Sequence, residues 1–375
     1  MRSSDTATDT LVVGAGQNGL AAGYHLSRRG IGHLILESSP RVGDVWRSRY
    51  DSLRLYSPAT DDALPGLPFP NVGERFPTGR QMGDYLEAYV RHHGLNVRTN
   101  ARVDRLERDQ DGGGYVVHAR GQRYRASSVI IASGGFQRPW VPGFASELDP
   151  AIRQLHSSEY RNPHELQTGP ALVVGLSHSG ADIAHEVATS RRTYLSGKSH
   201  GQLPFPIDSV RGRMMWPIMK VLARNLLTLR TPIGRKMAPH VRAGGGPLLR
   251  HRRQELQAAG VIMSEARTVG VSDGRPRLAD GQVLDVANVI WCTGFRPDFS
   301  WVRLPITGAD GWPEQDRGVI SSAPDLYVLG IPFLSGFTSM LVLGASRDAD
   351  SVVGQIASRA GQRLSPHLAG AQPAS

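Results

Sequence analysis

One signal constrains this chain more than any other, and it occurs twice. Thr10-Leu-Val-Val-Gly14 is a short apolar run that ends in Gly14-Ala-Gly-Gln-Asn-Gly19 and continues as a helix-like stretch, Leu20 to Arg29. A second apolar run, His33-Leu-Ile-Leu36, then ends on Glu37. Strand, glycine-rich turn, helix and strand in that order are the fingerprint of a dinucleotide-binding unit. Gly14 makes the tight turn, Gly16 lets the backbone approach a pyrophosphate, and Gly19 lets the helix pack on the strand. The helix N-terminus then points amide donors and partial positive charge at the phosphates. Glu37, 23 residues after Gly14, is placed to accept hydrogen bonds from a ribose. The competing reading is a plain strand-turn-helix that binds nothing.

The pattern recurs 161 residues later. Ala171-Leu-Val-Val-Gly175 leads into Gly175-Leu-Ser-His-Ser-Gly180, then a helix-like Ala181 to Thr189, then apolar residues around Tyr194 and Leu195. Ser177 replaces the middle glycine, so the backbone approaches a phosphate less closely. At the offset where the first copy has Glu37, this copy has Lys198. A carboxylate repels a 2′-phosphate, whereas an ammonium attracts it. Arg191 and Arg192, just before the second strand, are candidates to add to that attraction. A free ribose at the first turn and a phosphorylated ribose, as in NADPH, at the second follow from this. Taken alone, Lys198 also reads as a solvated surface lysine.

The segments between fit a scaffold for two such units. Arg102 to Arg108 and Tyr115 to Ala119 read as antiparallel strands around Asp111-Gly-Gly-Gly114. Val129-Ile-Ile-Ala-Ser133-Gly134-Gly135 and Val289-Ile-Trp-Cys-Thr293-Gly294 are apolar strands that open into glycine and lead from one domain to the other. Pro139 and Pro142 stiffen the first crossing. Pro324 to Gly330 returns to a buried strand. The expected fold is therefore α/β with two Rossmann-like domains, the second inserted into the first. The expected spans are 1–165 and 287–375 for the first domain and 166–286 for the second.

The formal charge of +10 comes from 43 basic and 33 acidic residues and belongs to one segment. From Ser209 to Gln254 there are 11 basic residues and no acid, which leaves 32 against 33 elsewhere. No recognition fold or aromatic RNA motif accompanies those arginines, so nucleic acid is not an expected partner. Cys292 is the only cysteine, which excludes an intrachain disulfide, a CxxC pair and a cysteine zinc cluster, and no metal is expected. Redox chemistry must then come from a bound cofactor. No apolar run approaches the ~20 residues that span a bilayer, and Met1 to Thr10 lacks an apolar signal core, so a cytoplasmic location is expected.

Further motifs carry a resemblance. Gly43-Asp-Val-Trp-Arg47, Asp51-Ser-Leu-Arg-Leu55, Leu64-Pro-Gly-Leu-Pro-Phe69 and Thr293-Gly-Phe-Arg-Pro297, with the two glycine-rich turns, resemble the flavin-containing monooxygenase family. Within it, the chain is most similar to the short bacterial members and the plant indole-pyruvate monooxygenases, from about Thr10 to Gly354. The resemblance implies FAD against Gly14, Gly16, Gly19, Glu37, Trp46, Ser133 and Gly134, with Gly330 near the far end of its phosphates. It implies NADPH against Gly175, Ser177, Ser179, Gly180, Ser196, Lys198, Thr293 and Gly294.

It also implies a single-component reaction. NADPH reduces the flavin, reduced flavin takes up molecular oxygen, and a flavin hydroperoxide passes one oxygen atom to a small organic substrate. Nitrogen or sulfur is the first expectation for the oxygenated atom. A carbonyl-bearing carbon, by Baeyer–Villiger oxidation or oxidative decarboxylation, is the second, and an NADPH reductase or oxidase the third. A flavin-binding regulatory protein is the reading from another class. Three departures from the family stand out. Pro150 and Ile152 occupy the Phe and Gly positions of its identity motif, of which His156 and Tyr160 remain. Tyr56 stands where the animal enzymes carry an Asn near the flavin, which makes Tyr56 and Ser57 the candidate catalytic hydroxyls. Ser177 is the third. For His156 a hinge or packing role, and for Tyr56 a pocket-wall role, compete with catalysis.

The basic segment, 209–254, is left over. Pro217 to Leu229 reads as a helix with Pro217 in its first turn. Three roles compete for the segment: a lid over the cleft with Met and Trp at a substrate entrance, an amphipathic helix for an anionic membrane, or an insertion packed on the NADPH domain with its arginines in water.

Overall fold

The computed structural model describes residues 5–71, 73–110 and 113–364. The chain opens with β1 (Thr6–Val13), α1 (Gln17–Arg28) and β2 (His33–Leu36). β1 alternates in burial up to Asp9 and is wholly buried from Thr10, as a parallel strand covered on both faces must be. The short α2 (Asp44–Arg47) and α3 (Gly79–His93) follow. α3 starts where it does because Thr78 and Gln81 cap each other: Gln81 N donates to Thr78 Oγ1 at 3.1 Å and Thr78 N to Gln81 Oε1 at 2.8 Å.

β3 (Val97–Arg98), the hairpin β4 (Val103–Arg108) and β5 (Tyr115–Ala119), and the long β6 (Gln122–Ile131) complete the first stretch. Asp111 and Gly112 of the expected hairpin turn lie outside the described residues. The chain then crosses through β7 (Arg138–Pro139) into β8 (Arg153–His156), β9 (Ala171–Val174), α4 (His178–Ala188) and β10 (Thr193–Ser196). After α5 (Val210–Asn225), α6 (Pro232–Arg242) and α7 (Arg253–Ala258) come β11 (Val261–Ser264), the hairpin β12 (Thr268–Ser272) and β13 (Arg275–Leu278), and β14 (Asn288–Trp291). It returns through β15 (Phe295–Arg296) to β16 (Gln315–Asp316), β17 (Val319–Ile320), β18 (Leu326–Val328) and α8 (Val342–Leu364).

Two sheets result. The larger has nine strands, in the order β16-β17-β18-β6-β1-β2-β3 with β4 and β5 joined to β6. The second has five, in the order β11-β10-β9-β14-β8, and every pairing in it is parallel. This is the expected α/β architecture of two Rossmann-like units. The expected 166–286 span holds β9, β10 and β11, while β8 and β14 flank it in sequence and complete its sheet. β14 is the apolar strand read from Val289 onward, whereas the four residues of β8, half-exposed and mostly polar, do not stand out from connecting chain. No helix among the described residues is long and apolar enough to cross a membrane.

The basic segment departs from expectation at its start. Its first helix begins at Val210, not Pro217, because Ser209 Oγ accepts from Gly212 N at 3.1 Å and caps it. Pro217 therefore sits inside α5, where a proline removes one backbone hydrogen bond. A second helix, α6, was not foreseen; Thr231 caps it, with Pro232 at its first position. The pair lies on the first unit. Trp216 Nε1 and Lys220 Nζ donate to Asp61 at 2.6 and 2.8 Å, and Phe337 N donates to Leu227 O at 2.8 Å.

Candidate functional site

The two glycine-rich turns have the same construction. Gly14 takes φ +107° and Gly175 takes φ +122°, a region only glycine enters freely. A Cβ on Gly14 would lie 2.6 Å from Ala132 O, and one on Gly175 would overlap Cys292 O. A Cβ on Gly19 would overlap Gly14 O, and one on Gly180 would overlap Gly175 O. At Gly16 an added Cβ would meet nothing within 4 Å. Two glycines thus serve internal packing, and the middle one faces open space, as a pyrophosphate cradle requires. The likeness reaches past the turns. Ala132 N donates to Val13 O at 2.9 Å, and Cys292 N donates to Val174 O at 2.8 Å. In each unit the next strand's glycine-rich end leans on the turn.

At the first turn Glu37 Oε2 accepts from Ala15 N at 2.8 Å, and Oε1 from Ser39 N at 2.8 Å. Gly330, at φ +73°, backs onto Asn18 in the first turn of α1; its added Cβ would lie 2.7 Å from Asn18 Nδ2. Gly134 faces open space, and Ser133 Oγ accepts from Gln137 Nε2 at 2.8 Å. Trp46 packs against both the first and the second core. Buried Asn18 Oδ1 and Trp46 Nε1 have no hydrogen-bond partner among the described residues. The open face at Gly16 and these two unmet polar atoms fit a polar, ring-bearing ligand such as FAD.

At the second turn the expected residues separate. Ser177 holds the N-cap position of α4 without a side-chain capping bond; its Oγ instead accepts from Gly246 N at 3.0 Å, so residues 245–247 lie against the place where a middle glycine would be open. Ser179 is half-buried in the first turn of α4. Ser196 turns its hydroxyl to Thr268, 2.7 Å away in the interior. Lys198 is exposed, and Gly197 beside it has its Cα where a Cβ would lie 2.7 Å from Leu176 N, which sets Lys198 next to the turn. Arg191 and Arg192 do not join it: Arg191 donates to Gln167 O at 2.6 Å and Pro163 O at 2.9 Å, and Arg192 stacks over Tyr194. Both lie at the start of β10, and the turn lies at its end. Buried His178 Nε2, on the first residue of α4, has no hydrogen-bond partner among the described residues. Lys198 and His178 Nε2 are thus the groups beside this turn left open to a polar ligand.

The two crossings run side by side. β7 and β15 pair antiparallel, Trp140 N donates to Gly294 O at 3.0 Å, and the Thr293 hydroxyl donates to Trp140 O. His156 belongs to this joint. Its Nε2 lies 3.0 Å from Gly294 O, and its Nδ1 accepts from Ser158 N at 3.1 Å. Burial holds its pKa below the ordinary histidine value. A neutral ring with both nitrogens engaged is a packing histidine. Nearby, the Arg49 guanidinium lies 5.2 Å over Phe136 and 5.5 Å over Phe295 in a cavity beside α2.

Between the units sits a polar cluster that sequence reasoning missed. Asp182 on α4 accepts from Tyr56 Oη at 2.7 Å and Tyr50 Oη at 3.2 Å, and Arg250 Nη1 lies 3.5 Å away. The Arg250 guanidinium also covers the Tyr56 ring at 5.1 Å and donates to Leu55 O at 2.9 Å. Burial raises the Asp182 carboxyl above its ordinary pKa, opposed first by Arg250 and then by the tyrosine hydrogen bonds. Burial, then Tyr50 and Asp182, push the Tyr56 phenol well up, so it is a neutral donor. Ser57 gives its hydroxyl to Asp62 at 2.5 Å. Burial lifts the Asp62 carboxyl to about 8. Both candidate hydroxyls are thus committed to buried carboxyl groups. Burial, with Asp182 second, raises the Cys292 thiol out of the nucleophile range.

Residues 11–200 match the family described as pyridine nucleotide-disulphide oxidoreductase, a span that includes both turns and Lys198. A CzcO-like oxidoreductase of Geobacillus kaustophilus is 36% identical over 349 residues, 93% of this chain and 98% of that protein. The flavin-containing monooxygenase of Stenotrophomonas maltophilia has the same fold, with a TM-score of 0.76 at 27% identity over 95% of this chain and 99% of that one. The chain belongs to the flavin-containing monooxygenase family. This member is an oxidoreductase whose cofactors are FAD and NADP(H). A probable indole-3-pyruvate monooxygenase of Arabidopsis thaliana, YUCCA7, is 28% identical over 387 residues, 92% of this chain and 87% of that protein. With Cys292 alone, a monooxygenase of this sequence has no thiol pair for the disulphide chemistry in the broader family's description.

Proposed function

We propose that the chain is an FAD- and NADPH-dependent monooxygenase that transfers one oxygen atom of O₂ to nitrogen or sulfur of a small organic substrate. The observation that carries this reading is the pair of matched turns with opposite charges at the same offset, Glu37 and Lys198. FAD, when bound, supplies the electron and oxygen chemistry, and NADPH supplies the hydride.

The chain's own work is to bind, orient and exclude water. Gly16 and the amides at the start of α1 hold a pyrophosphate, Glu37 a ribose, and Trp46, Ser133, Gly134 and Gly330 the rest of FAD. The amides at the start of α4 hold the second pyrophosphate, with Ser177, Ser179 and Gly180 shaping the turn and Thr293 and Gly294 beside it. Lys198 holds the 2′-phosphate. Ser196 serves by fixing the end of β10, its hydroxyl being committed to Thr268. Tyr56 and Ser57, bonded to Asp182 and Asp62, fix the cleft wall between the units. Fixed side chains of this kind would help to keep bulk water out of the cleft in which FAD supplies its chemistry.

The test is a coupled measurement on the purified flavoprotein. NADPH should bleach the flavin without air, and in air an accepted amine or thioether should take up the oxygen consumed. Hydrogen peroxide in full yield with every amine, thioether and ketone would identify an oxidase. Oxygen transfer to ketones or 2-oxo acids alone would move the reaction to a carbonyl-bearing carbon. Flavin that stays oxidised with NADPH would refute the cofactor assignment.

A further inference from the structure

The outer face of α5 has no partner among the described residues. Val210, Met214, Ile218 and Leu222, with Leu226 at the C-cap, recur every four residues and form an exposed apolar row that winds gradually around the outer side of the helix. Val210 and Met214 are each 72% exposed, and Ile218 is 53% exposed. A stripe of this size is not left in water by a monomeric protein without reason. The helix is held from behind. The Gly212 backbone packs on Pro206 O and Ile207 O, and Trp216 and Lys220 reach Asp61. The apolar face is therefore a rigid, outward-directed surface.

Charge decides what covers it. Arg211 lies among the stripe residues, and Arg213 and Arg224 lie along its flank, all exposed. Arg230, Arg235 and Lys236 continue the positive face through α6, where Ile233 is 49% exposed. No acid occurs from 209 to 254. The nearest carboxylates are engaged: Asp61 by Lys220, Asp208 by Arg250 and Asp310 by Arg242. A second copy of the same face would set cations against cations. A layer with an apolar interior and anionic headgroups complements both parts, since arginine stems lie along apolar surface while their heads reach phosphates. We propose that the α5–α6 face docks on an anionic lipid bilayer, with the Val210–Leu226 stripe in the interface and the flanking arginines on the headgroups.

The experiment is sedimentation of the full flavin-loaded chain with vesicles. Phosphatidylcholine vesicles containing phosphatidylglycerol should carry the protein down, and pure phosphatidylcholine vesicles should not. High salt should weaken the binding. The double substitution Met214→Asp, Ile218→Asp and the triple substitution Arg211→Gln, Arg213→Gln, Arg224→Gln should each lower vesicle affinity at least about tenfold. Flavin content and circular dichroism verify that each variant is folded, and the arginine series tests the idea should the aspartate variant fail to fold. No binding to anionic vesicles would overturn the proposal, as would binding that neither set of substitutions reduces. A native dimer that the aspartate pair splits into monomers would assign the face to a second copy instead.

Discussion

Tyr56 Oη donates to Asp182 Oδ2 at 2.7 Å, joining residues 126 apart in sequence and one unit of the fold to the other. The same carboxylate receives Tyr50 and faces Arg250. Replacing it with an apolar side chain leaves two buried hydroxyls without this acceptor and takes one carboxylate from the buried Arg250 guanidinium, which keeps Leu55 O and Asp208. Asp182→Leu should lower the unfolding free energy by about 3 kcal/mol, read from the urea midpoint. Asp182→Asn keeps hydrogen-bond acceptors and should lose about 1 kcal/mol. Equal midpoints for Leu and the native chain would show that the cluster holds nothing together.

That cluster also marks where sequence reading stops. The glycine-rich turns are legible because their chemistry is local: three glycines, a helix and an acid or base at a fixed offset. Asp182 lies in the same helix two residues after Gly180, but its partners come from residues 50–56 and 250, which no spacing rule connects to it. Ser196 misleads for a related reason. Its position at the end of β10 fits a ligand, yet its side chain is buried and its hydroxyl meets Thr268, 72 residues away in sequence. The start of α5 was hidden by Pro217, which belongs in first turns by preference and sits in this helix's interior.

Gly16 and Gly19 separate binding from folding. A methyl at Gly16 meets no protein atom within 4 Å, so Gly16→Ala should keep the native melting temperature while flavin affinity falls about tenfold or more. A methyl at Gly19 collides with the Gly14 carbonyl, so Gly19→Ala should lose both stability and flavin. Flavin absorbance per chain and thermal denaturation read the two effects. Full flavin retention in Gly16→Ala would remove the first turn as the FAD cradle.

Asp62 gives the stability a pH dependence of defined sign. Burial holds its carboxyl at about 8, against an ordinary value of 3.8. The folded chain keeps a proton that the unfolded chain releases near pH 4. This contribution is fully present below pH 4, and it is lost as pH rises through about 8. Within that window each pH unit disfavours folding by about 1.4 kcal/mol. Asp62→Asn should flatten the slope, so its melting temperature should exceed the native one more at pH 8 than at pH 5. The same difference at both pH values would show an ionised Asp62.

The role proposed for Lys198 predicts which nicotinamide cofactor the second site prefers. Gly197 presses against the Leu176 backbone and sets the exposed lysine beside the turn, while Arg191 and Arg192 are tied down at the far end of β10. On the proposed reading this leaves Lys198 as the cation beside the turn for a 2′-phosphate. A charge-assisted hydrogen bond is worth roughly 1.5–3 kcal/mol, so Lys198→Ala should raise KM for NADPH about tenfold or more. KM for NADH, which lacks the phosphate, should stay nearly constant, and Arg192→Ala should change neither. Steady-state rates with both cofactors check this. A parallel rise for NADPH and NADH would mean that Lys198 acts on the fold of the turn, and that the phosphate is held elsewhere.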